Sequence, residues 1–499
     1  MKIIIPMTGK STRFKKSGIH TPKQFLKIQN KYILEHIIDM FPGEKDINLL
    51  VSNEDKENLE FSNYLSHFDD LIVHNIDYQY SGPGGALLES NLLETEDAVL
   101  INYCDFANIW NWEDFKQLIH DKKPDGIVPA YHGQHPHSIY NNDYAFIKNN
   151  GDKIKGIQEK KSFTDNKIEE YASSGTYYFK SGYLAKKYIN KVFELKQFIN
   201  DEVYISTPFQ EMINDKLDIR LFHINYFFQW GTPEDYYEFI YNLNEVENVN
   251  SANKIDTKDI NILIPAAGES SRFKAEGYND SKINLKVNDI KVIDHILNCF
   301  SKNEKTKLLI HKDDNFKNNE FKDSQNIFII KQRTSGQAES CLKLVEKVVD
   351  SKPILIHSAD CILDKELEID MGDNDIVLFT KKNYRRAFYQ YQNYGWVNFD
   401  NDKINSFSIK QKPKDNLSSV ITGVFLFKNK ETYVNLYKKT KEKNKDLKEI
   451  HVDNLVETAF NNQLKIGVVA SEKNVMLGTP LEFELFEYMY LAKEYFDKK

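Results

Sequence analysis

The chain has 499 residues, enough for two to four domains of ordinary size, and its 41% hydrophobic and 28% charged residues are typical of globular proteins. A formal net charge of −8 argues against a general polyanion-binding protein, so any phosphate recognition has to be local. Pro6 and Gly9 interrupt the apolar start, and no run of about 20 apolar residues follows, so we expect a cytoplasmic protein without membrane spans.

Each half of the chain opens with the same pattern. Residues 3–41, IIIPMTGKSTRFKKSGIHTPKQFLKIQNKYILEHIIDMF, align without a gap with residues 262–300, ILIPAAGESSRFKAEGYNDSKINLKVNDIKVIDHILNCF. A repeat this far apart cannot be a solenoid repeat, whose units have roughly 20 to 50 residues. We therefore interpret it as a tandem duplication of a whole domain, in which each copy has its own core and its own site.

Both copies continue with the same order of predicted elements. A short β-rich run, IIIP or ILIP, is followed by a Gly/Ser/Thr loop and then by an amphipathic helix such as ILEHIIDMF. Later apolar runs alternate with helical stretches, which predicts in each copy a mostly parallel central sheet with helices on both faces. Residues 246–258 are polar and have no apolar period, so we predict a linker there. The two predicted domains are residues 1–245 and residues 259–499.

The loop after the first strand has the composition of a phosphate site. Its backbone amides can converge on one anion, and Gly9 and Gly268 allow a close approach of the backbone. The side chains that could hold phosphate oxygens are Arg13, Lys23, Arg272 and Lys282. In one copy alone, a strand-to-helix turn with solvated basic residues would be the better explanation of the pattern. Its presence in both copies favours a phosphate site.

An acid ends a later apolar strand in each copy. AVLINYCD ends at Asp105 and PILIHSAD ends at Asp360. Ligands of open α/β sheets bind at the carboxyl ends of the strands. One carboxylate beside nucleotide phosphates is enough to hold Mg²⁺, which keeps several of its waters. A helix N-cap or a turn is the alternative explanation for an isolated Asp.

These motifs resemble the nucleotidyltransferases of the sugar-phosphate type, which make nucleotide-activated sugars, choline and related groups. IPMTGKSTRF and IPAAGESSRF look like the N-terminal signature of that family, followed by its Lys in TPKQF and, without the usual Pro, in DSKIN. The resemblance covers both halves and implies a Rossmann-like α/β domain in each, with Asp105 and Asp360 as Mg²⁺ ligands. The family often has a second carboxylate two residues before a Gly-Thr, where this chain has Gln229 and Met476.

The resemblance also implies which residues bind the substrates. The nucleotide-binding residues would be Met7, Thr8, Gly9, Lys10, Gly84, Ala266, Ala267, Gly268, Glu269 and Gly336, of which Gly84 and Gly336 lie in later Gly-rich turns at matching positions. The acceptor-binding residues would be Glu159, Lys160 and Gly175 in the first copy and Lys412 and Gly423 in the second. Gln411 takes the position of Glu159 if QKP aligns with EKK, and an alignment shifted by two residues is left open.

The two copies differ in one further segment. The first copy has HGQHPHS, with His132, His135 and His137, where the second has NYRRAFY, with Arg385 and Arg386. Clustered His residues can bind a metal, but a substrate-binding or surface role fits the loop and carboxylate pattern better. If these segments line the acceptor pockets, the copies take different acceptors.

The expected reaction is the transfer of a nucleoside monophosphate from a nucleoside triphosphate to a sugar phosphate or phosphorylated alcohol, with release of pyrophosphate. Arg13 or Arg272 would bind the β- and γ-phosphates and Lys23 or Lys282 the α-phosphate. By family analogy the products would serve capsule or other surface polysaccharides, and CTP or UTP is favoured without support from any residue. We expect neither nucleic acid nor membrane as a partner, and the sequence leaves a homo-oligomer open.

Two other functions are compatible with the sequence. One catalytic copy could be joined to a degenerate copy that binds ligand or dimerises; the first copy, with Pro22-Lys23 and Glu159-Lys160, is then the better candidate for catalysis. A nucleotide-sugar-dependent glycosyltransferase can share this architecture. Such enzymes usually carry an Asp-x-Asp metal motif, which CDFAN and ADCIL do not supply.

Overall fold

The computed structural model describes residues 1–68, 70–77, 81–133, 135, 144–301, 304–314, 316, 326–400, 403–413, 418–444 and 447–498. The chain divides into two compact units, Met1–Ile240 and Tyr241–Lys499. Within the described ranges, no helix combines the length and the hydropathy needed to cross a membrane.

The first unit alternates strands and helices. Its strands are β1 (Lys2–Pro6), β2 (Lys27–Ile28), β3 (Lys31–Tyr32), β4 (Ile47–Ser52), β5 (Ile72–Ile76), β6 (Val99–Asn102), β7 (Phe106–Ile109), β8 (Gly126–Tyr131), β9 (Ala145–Asn150), β10 (Lys153–Glu159), β11 (Tyr171–Ser173), β12 (Thr176–Phe179), β13 (Ile219–His223) and β14 (Tyr226–Gln229). Its helices are α1 (Thr12–Lys16), α2 (Ile33–Ile38), α3 (Asn53–Glu57), α4 (Leu59–Leu65), α5 (Gly82–Glu89), α6 (Trp112–Lys122), α7 (Gly182–Glu194), α8 (Ser206–Asn214) and α9 (Pro233–Asn250), and the last of these continues into the second unit.

A single large sheet forms the centre of the first unit. Its strand order is β11-β9-β10-β13-β8-β12-β6-β1-β4-β5. The strands β5, β4, β1, β6, β8 and β13 run in one direction, and β12 lies antiparallel between β6 and β8. Towards the other edge, β10 is antiparallel to both β13 and β9, and the edge strand β11 is antiparallel to β9. The central strand β1 is buried on both faces, which explains its uninterrupted run of isoleucines.

Helices cover both faces of this sheet, as predicted. Phe179 on β12 packs against Phe209 of α8, with ring centroids 4.6 Å apart. Its neighbour Tyr178 points the other way, to Phe115 of α6, with centroids 6.2 Å apart. Because successive side chains of a strand alternate between faces, these two contacts place helices on opposite sides. The α/β class predicted from the sequence is confirmed.

The second unit has the same kind of architecture. Its strands are β15 (Asn261–Pro265), β16 (Lys286–Val287), β17 (Ile290–Lys291), β18 (Lys307–His311), β19 (Ile327–Ile330), β20 (Ile354–His357), β21 (Cys361–Ile362), β22 (Ile376–Lys381), β23 (Gly395–Asp400), β24 (Lys403–Ile409), β25 (Ser419–Phe427), β26 (Ile466–Ser471) and β27 (Val475–Met476). Its helices are α10 (Ser271–Ala275), α11 (Val292–Leu297), α12 (Gln337–Val345), α13 (Arg385–Tyr389), α14 (Lys430–Lys443), α15 (Val452–Asn461) and α16 (Pro480–Asp497). The sheet order is β19-β18-β15-β20-β25-β22-β26, with β25 antiparallel to both neighbours and β23 pairing with β25 and β24.

The predicted linker, residues 246–258, is packed into the second unit. Val246 and Ile255 are fully buried or nearly so, at 0% and 1% exposure. The buried Asn248 donates to the carbonyl of Leu363 at 2.9 Å and accepts from the amide of Lys365 at 2.8 Å. The segment looked like a linker because its composition is polar, but those polar side chains are satisfied by hydrogen bonds inside the unit.

A buried ion pair fixes the end of α9 in the second unit. Glu245 accepts a hydrogen bond from the ammonium of Lys381 at 2.6 Å, and their side chains are only 11% and 3% exposed. Lys381 also donates to the carbonyl oxygens of Glu472 and Asn474. Residues after Ile240 are therefore part of the second unit's core.

We expect Glu245→Ala to destabilise the second unit by about 3 kcal/mol or more, because it leaves the Lys381 ammonium buried without a counter-charge. Hydrogen exchange of the β22 amides in the full chain measures this loss. Glu247→Ala is the matched control, since Glu247 lies on the same helix with its side chain 53% exposed. Equal protection of β22 in both variants would contradict the assigned role.

Candidate functional site

The loops after β1 and β15 have the same local geometry. Ser11 and Ser270 precede the short helices α1 and α10 in the left-handed conformation, with φ of 49° and 51°. Their hydroxyl oxygens accept hydrogen bonds from the backbone amides of Lys23 and Lys282, at 3.4 and 3.1 Å. Each loop is thereby tied to the segment that carries the predicted lysine.

Gly9 and Gly268 face open space. A Cβ built on either glycine would have no protein atom within 4 Å, and both residues line a cavity of their unit. Neither glycine has a positive φ. Protein packing and backbone conformation therefore do not require glycine here, whereas close approach of a ligand to the backbone would.

In the first unit, Lys23 forms an ion pair with Asp105 at the carboxyl end of β6. The ammonium lies 2.5 Å from Oδ2 of Asp105. Burial has the largest single effect on the pKa of Lys23 and would lower it, but the charge of Asp105, the neighbouring Cys104 and the hydrogen bond to Asp105 together raise that pKa above its usual value. Gly231 leaves room for the carboxylate, because a Cβ there would lie 2.9 Å from Oδ2. Arg13 lines the same cavity.

The second unit repeats this pair with Lys282 and Asp360. The ammonium of Lys282 lies 2.8 Å from Oδ2 of Asp360, and Oδ1 accepts a hydrogen bond from the Ser358 hydroxyl. Burial would raise the pKa of Asp360, but Lys282 and Ser358 together lower it below its ordinary value. Arg272 lines this cavity and donates to the carbonyl of Gly478 at 3.4 Å.

The predicted nucleotide-binding residues fall into two groups. Those that line a cavity are Gly9, Lys10, Ala266, Ala267, Gly268, Glu269 and Gly336. Met7 and Thr8 are buried beneath the first loop, and neither they nor Gly84 is among the residues that line the first cavity. A Cβ on Gly84 would lie 2.7 Å from the Val203 side chain, so packing explains this glycine.

The alignment of Gly84 with Gly336 is wrong by two residues. The amide of Gly84 donates to the carbonyl of Val203, as the amide of Ala338 does to that of Ile450, both at 3.0 Å. Gly82 is therefore the residue that corresponds to Gly336. A Cβ on Gly82 would meet the Glu202 side chain at 2.8 Å, and a Cβ on Gly336 would meet Glu449 at 2.5 Å.

The walls of the two cavities differ in chemistry. The first cavity, of about 480 Å³, is lined by many aromatic side chains, including Tyr103, Phe106, Tyr144, Tyr177, Tyr204 and Phe227. In the second, of about 620 Å³, Tyr394 is the single Tyr, Phe or Trp among the described lining residues. Ser358 occupies the position of Tyr103. The amide of Tyr103 donates a hydrogen bond to the carbonyl of Gly175, and the amide of Ser358 donates the equivalent bond to the carbonyl of Gly423.

Glu159 and Lys160, at the end of β10, both line the first cavity. Glu159 accepts a hydrogen bond from the Ser206 hydroxyl at 2.6 Å. Lys160 donates to the Tyr204 hydroxyl at 2.7 Å. Gly175 lines the cavity with φ of 96°, and a Cβ there would meet Phe106 at 2.8 Å, so backbone and packing both favour glycine. Gly423 has the same position in the second unit, with φ of 80°.

Lys410, and not Lys412, occupies the position of Lys160 in the second unit. Both lysines have a positive φ, 56° for Lys160 and 54° for Lys410. Their amides donate to the carbonyls of Tyr144 and Tyr394. Lys410 lies 2.8 Å from Nε2 of His451, where Lys160 contacts Tyr204. The alignment of QKP with EKK is therefore wrong, and the two-residue shift that the sequence left open is correct. The sequence did not decide between them because Ile409 stands where the first unit has Glu159.

Sequence reasoning missed the segment that carries Tyr204 and His451. In the first unit it reads EVYIS, residues 202–206, and in the second EIHVD, residues 449–453. Comparison of these two five-residue strings could have revealed the correspondence. It places Asp453 where the first unit has Ser206, and Asp453 lines the second cavity.

The described residues of the His and Arg segments are not among those that line the two cavities. His132, His135, Arg385 and Arg386 are absent from both sets of lining residues, and His137 lies outside the described residues. Arg386 is buried and donates to Asn242 at 3.0 Å. Across the described parts of the chain, no three His, Cys, Asp or Glu side chains are grouped so as to hold a metal. The described residues of these segments therefore give no support to the predicted difference in acceptor.

Residues 3–156 match the family model of the MobA-like NTP transferase domain. The match lies in the first unit and includes the loop, Lys23 and Asp105. The first unit therefore contains the sequence pattern of an NTP transferase domain. No curated protein matches the chain.

Several solved structures are similar to about half of the chain. A nucleoside-diphosphate-sugar pyrophosphorylase from Vibrio cholerae is 19% identical, covering 48% of this chain and 99% of its own, with a TM-score of 0.38. A UDP-glucose pyrophosphorylase complexed with UDP-glucose is 18% identical, over 48% and 95% of the two chains, with a TM-score of 0.38. An inositol-1-phosphate CTP transferase from T. maritima is 14% identical, over 48% and 94%, with a TM-score of 0.37.

Asp453 should make the stability of the second unit depend on pH. Burial raises the pKa of Asp453 to about 7 from an ordinary 3.8, with Lys410 opposing this shift and Asp360 adding to it. The folded state then holds an extra proton between these pH values, so this contribution to stability falls as pH rises from about 4 to about 7. His451 is the other titratable group beside Lys410, and burial lowers its pKa.

The measurement is hydrogen exchange of α15 across this pH range in the unaltered chain and in Asp453→Asn. The difference in opening free energy between the two proteins should grow with pH up to about 7 and then level off. A difference that does not change with pH would show that the Asp453 carboxyl titrates normally.

Proposed function

We propose that the chain is a tandem duplication of nucleotidyltransferase domains, each of which transfers a nucleoside monophosphate from a nucleoside triphosphate to a phosphorylated acceptor and releases pyrophosphate. The proposal rests on the two equivalent ion pairs, Lys23–Asp105 and Lys282–Asp360. Each lies in a cavity that is also lined by a loop glycine and an arginine. The family match of residues 3–156 supports the reaction class for the first unit.

The arrangement suits an in-line displacement at the α-phosphorus. An oxygen of the acceptor phosphate attacks the α-phosphorus, and the bond to the β-phosphate bridging oxygen breaks, so that pyrophosphate leaves. No protein nucleophile is needed, since the residues position the substrates and neutralise charge. The loop amides and Arg13 bind the β- and γ-phosphates in the first unit, and Lys23 binds the α-phosphate. Arg272 and Lys282 have these roles in the second.

Magnesium fits the first unit better than the second. Oε1 of Gln229 is buried and has no hydrogen-bond partner among the described residues, so it can join the Asp105 carboxylate as an oxygen donor. In the second unit, Met476 offers no oxygen, and both carboxylate oxygens of Asp360 already accept hydrogen bonds. When bound, Mg²⁺ would neutralise phosphate charge. A metal role for Asp360 stays a prediction.

We propose that the two units take different acceptors. The first cavity combines an aromatic wall with Glu159, whereas the second is polar, with Ser358 and His451 at the positions of Tyr103 and Tyr204. These differences in the side chains that line the cavities would change which acceptor can bind. A role in precursors of capsule or other surface polysaccharides rests on the family resemblance alone, as does the choice of CTP or UTP.

Two catalytic units explain the structure better than one. The second unit keeps the loop geometry, the lysine–carboxylate pair and a cavity large enough for a substrate. A purely scaffolding copy has no need of these features. The glycosyltransferase alternative lacks an Asp-x-Asp motif at either strand end.

The test replaces each lysine separately in the full chain. We expect Lys23→Ala and Lys282→Ala each to reduce pyrophosphate release in its own unit by about 100-fold or more, because an α-phosphate contact formed in the transition state is lost. Release is measured with each of the four ribonucleoside triphosphates, Mg²⁺ and a set of phosphorylated acceptors. Lys16→Ala and Lys274→Ala are the controls, since both side chains are exposed on α1 and α10.

The outcomes separate the alternatives. Loss in Lys23→Ala with no change in Lys282→Ala would leave one catalytic unit and one that only binds. Nucleotide-dependent product without any pyrophosphate would exclude nucleotidyl transfer.

A pair of glycine substitutions tests the open loop. We expect Gly9→Ala to preserve stability but to weaken binding of the triphosphate by about tenfold or more, because the new Cβ enters ligand space. Gly175→Ala should instead lower the free energy of unfolding by about 1–3 kcal/mol, because of its positive φ and its contact with Phe106. Denaturation and calorimetric titration with the triphosphate measure both effects. Tight binding by a stable Gly9→Ala protein would remove the loop from the site.

A further inference from the structure

Three neighbouring positions differ together between the two cavities. Glu159 at the end of β10 corresponds to Ile409 at the end of β24, because each precedes the lysine with positive φ. Ser206 corresponds to Asp453, since each is two residues after Tyr204 or His451. Ala145 corresponds to Gly395, which follows the tyrosine whose carbonyl accepts from that lysine. The carboxylate at this place in the cavity therefore lies on strand β10 in the first unit and on helix α15 in the second.

The three changes fit one another in space. In the first unit, Glu159 pairs with Ala145 across β10 and β9 and accepts the Ser206 hydrogen bond. In the second, Ile409 pairs with Gly395 across β24 and β23. A Cβ on Gly395 would lie only 3.0 Å from Oδ2 of Asp453. Gly395 therefore leaves the room that the relocated carboxylate needs.

The relocated carboxylate has an unused acceptor atom. Oδ1 of Asp453 is shielded from solvent and has no hydrogen-bond partner among the described residues. Asp453 lines the second cavity together with Lys410 and Tyr394. A shielded acceptor without a donor is costly, and a bound ligand that carries a donor would satisfy it.

We propose that Asp453 is the acceptor-binding carboxylate of the second unit and that it accepts hydrogen bonds from hydroxyl groups of a phosphorylated sugar or polyol. This inference rests on the proposed nucleotidyl transfer. Lys410 lies beside it as a cation for the acceptor phosphate. A quaternary ammonium acceptor fits less well, because Ser358 and His451 replace the aromatic residues that could face such a cation.

The experiment uses the full chain with Lys23→Ala, which silences the first unit. Its first part measures calorimetric binding of each ribonucleoside triphosphate with Mg²⁺, before and after adding Lys282→Ala. Binding that Lys282→Ala abolishes shows that the second site takes nucleotide. Absence of such binding would overturn the proposed function of this unit, and the acceptor inference with it.

The second part measures pyrophosphate release with hydroxyl-bearing phosphates, namely α-D-glucose 1-phosphate, myo-inositol 1-phosphate, ribitol 5-phosphate and sn-glycerol 3-phosphate, and with choline phosphate. We expect release with a hydroxyl-bearing phosphate. Asp453→Asn should lower kcat/KM for that acceptor by about 10- to 100-fold, because one carboxyl oxygen is replaced by an amide nitrogen that cannot accept a hydrogen bond, and should leave KM for the nucleotide unchanged.

A rescue variant separates binding from folding. Ile409→Glu, Asp453→Ser and Gly395→Ala together rebuild the arrangement of the first unit and should recover part of the lost kcat/KM. Glu457→Gln, an exposed residue of α15, is the control and should have no effect.

Two outcomes would overturn the inference while the proposed function stands. One is intact nucleotide binding with release only for choline phosphate, or for none of the probes. The other is an unchanged kcat/KM in Asp453→Asn.

Discussion

The ion pair between a lysine of the loop segment and an aspartate at the end of a central strand organises each candidate site. Lys23 and Lys282 follow the first strand of their units, whereas Asp105 and Asp360 end a neighbouring parallel strand. Parallel pairing brings these ends to one edge of the sheet, so two segments distant in sequence meet. The hydroxyl oxygen of the loop serine, Ser11 or Ser270, also accepts a hydrogen bond from the backbone amide of this lysine.

The other residues of each site surround this edge of the sheet, and their side chains differ between the two units. The two loops agree closely in backbone geometry, but the opposite walls do not agree in side chains. The first unit presents tyrosines and Glu159, and the second presents Ser358, His451 and Asp453. Under the proposed function, this shared edge would bind the nucleotide phosphates, and the different walls would give the two units different acceptors.

Much of the fold and part of the site could be predicted because their signals are local. The strand–loop–helix opening, the loop glycine, the arginine and the lysine lie within about twenty residues, and the alternation of elements predicts the sheet. The acceptor wall was harder to predict. The substitution of Ile409 for Glu159 removed the motif that would have marked Lys410, and the alignment slipped to Lys412.

The predicted domain boundary shows a second kind of difficulty. Composition suggested a linker at residues 246–258, with Glu245 at the end of the first domain. Glu245 and Asn248 are polar residues whose partners, Lys381 and Leu363, lie more than a hundred residues away in the chain. Burial of a polar group depends on whether such a partner is present, and composition does not record it.

The sequence by itself determined that the chain has two similar halves, that each is an α/β unit, and that each carries a loop, an arginine, a lysine and an acid suited to phosphate chemistry. The tertiary structure decided that Glu159 lines the first cavity and Asp453 the second, and which glycines are explained by packing. The physical reason is that motif residues are set by short-range backbone geometry. A cavity wall depends instead on contacts between strands and helices distant in sequence, where one side chain can replace another from a different element.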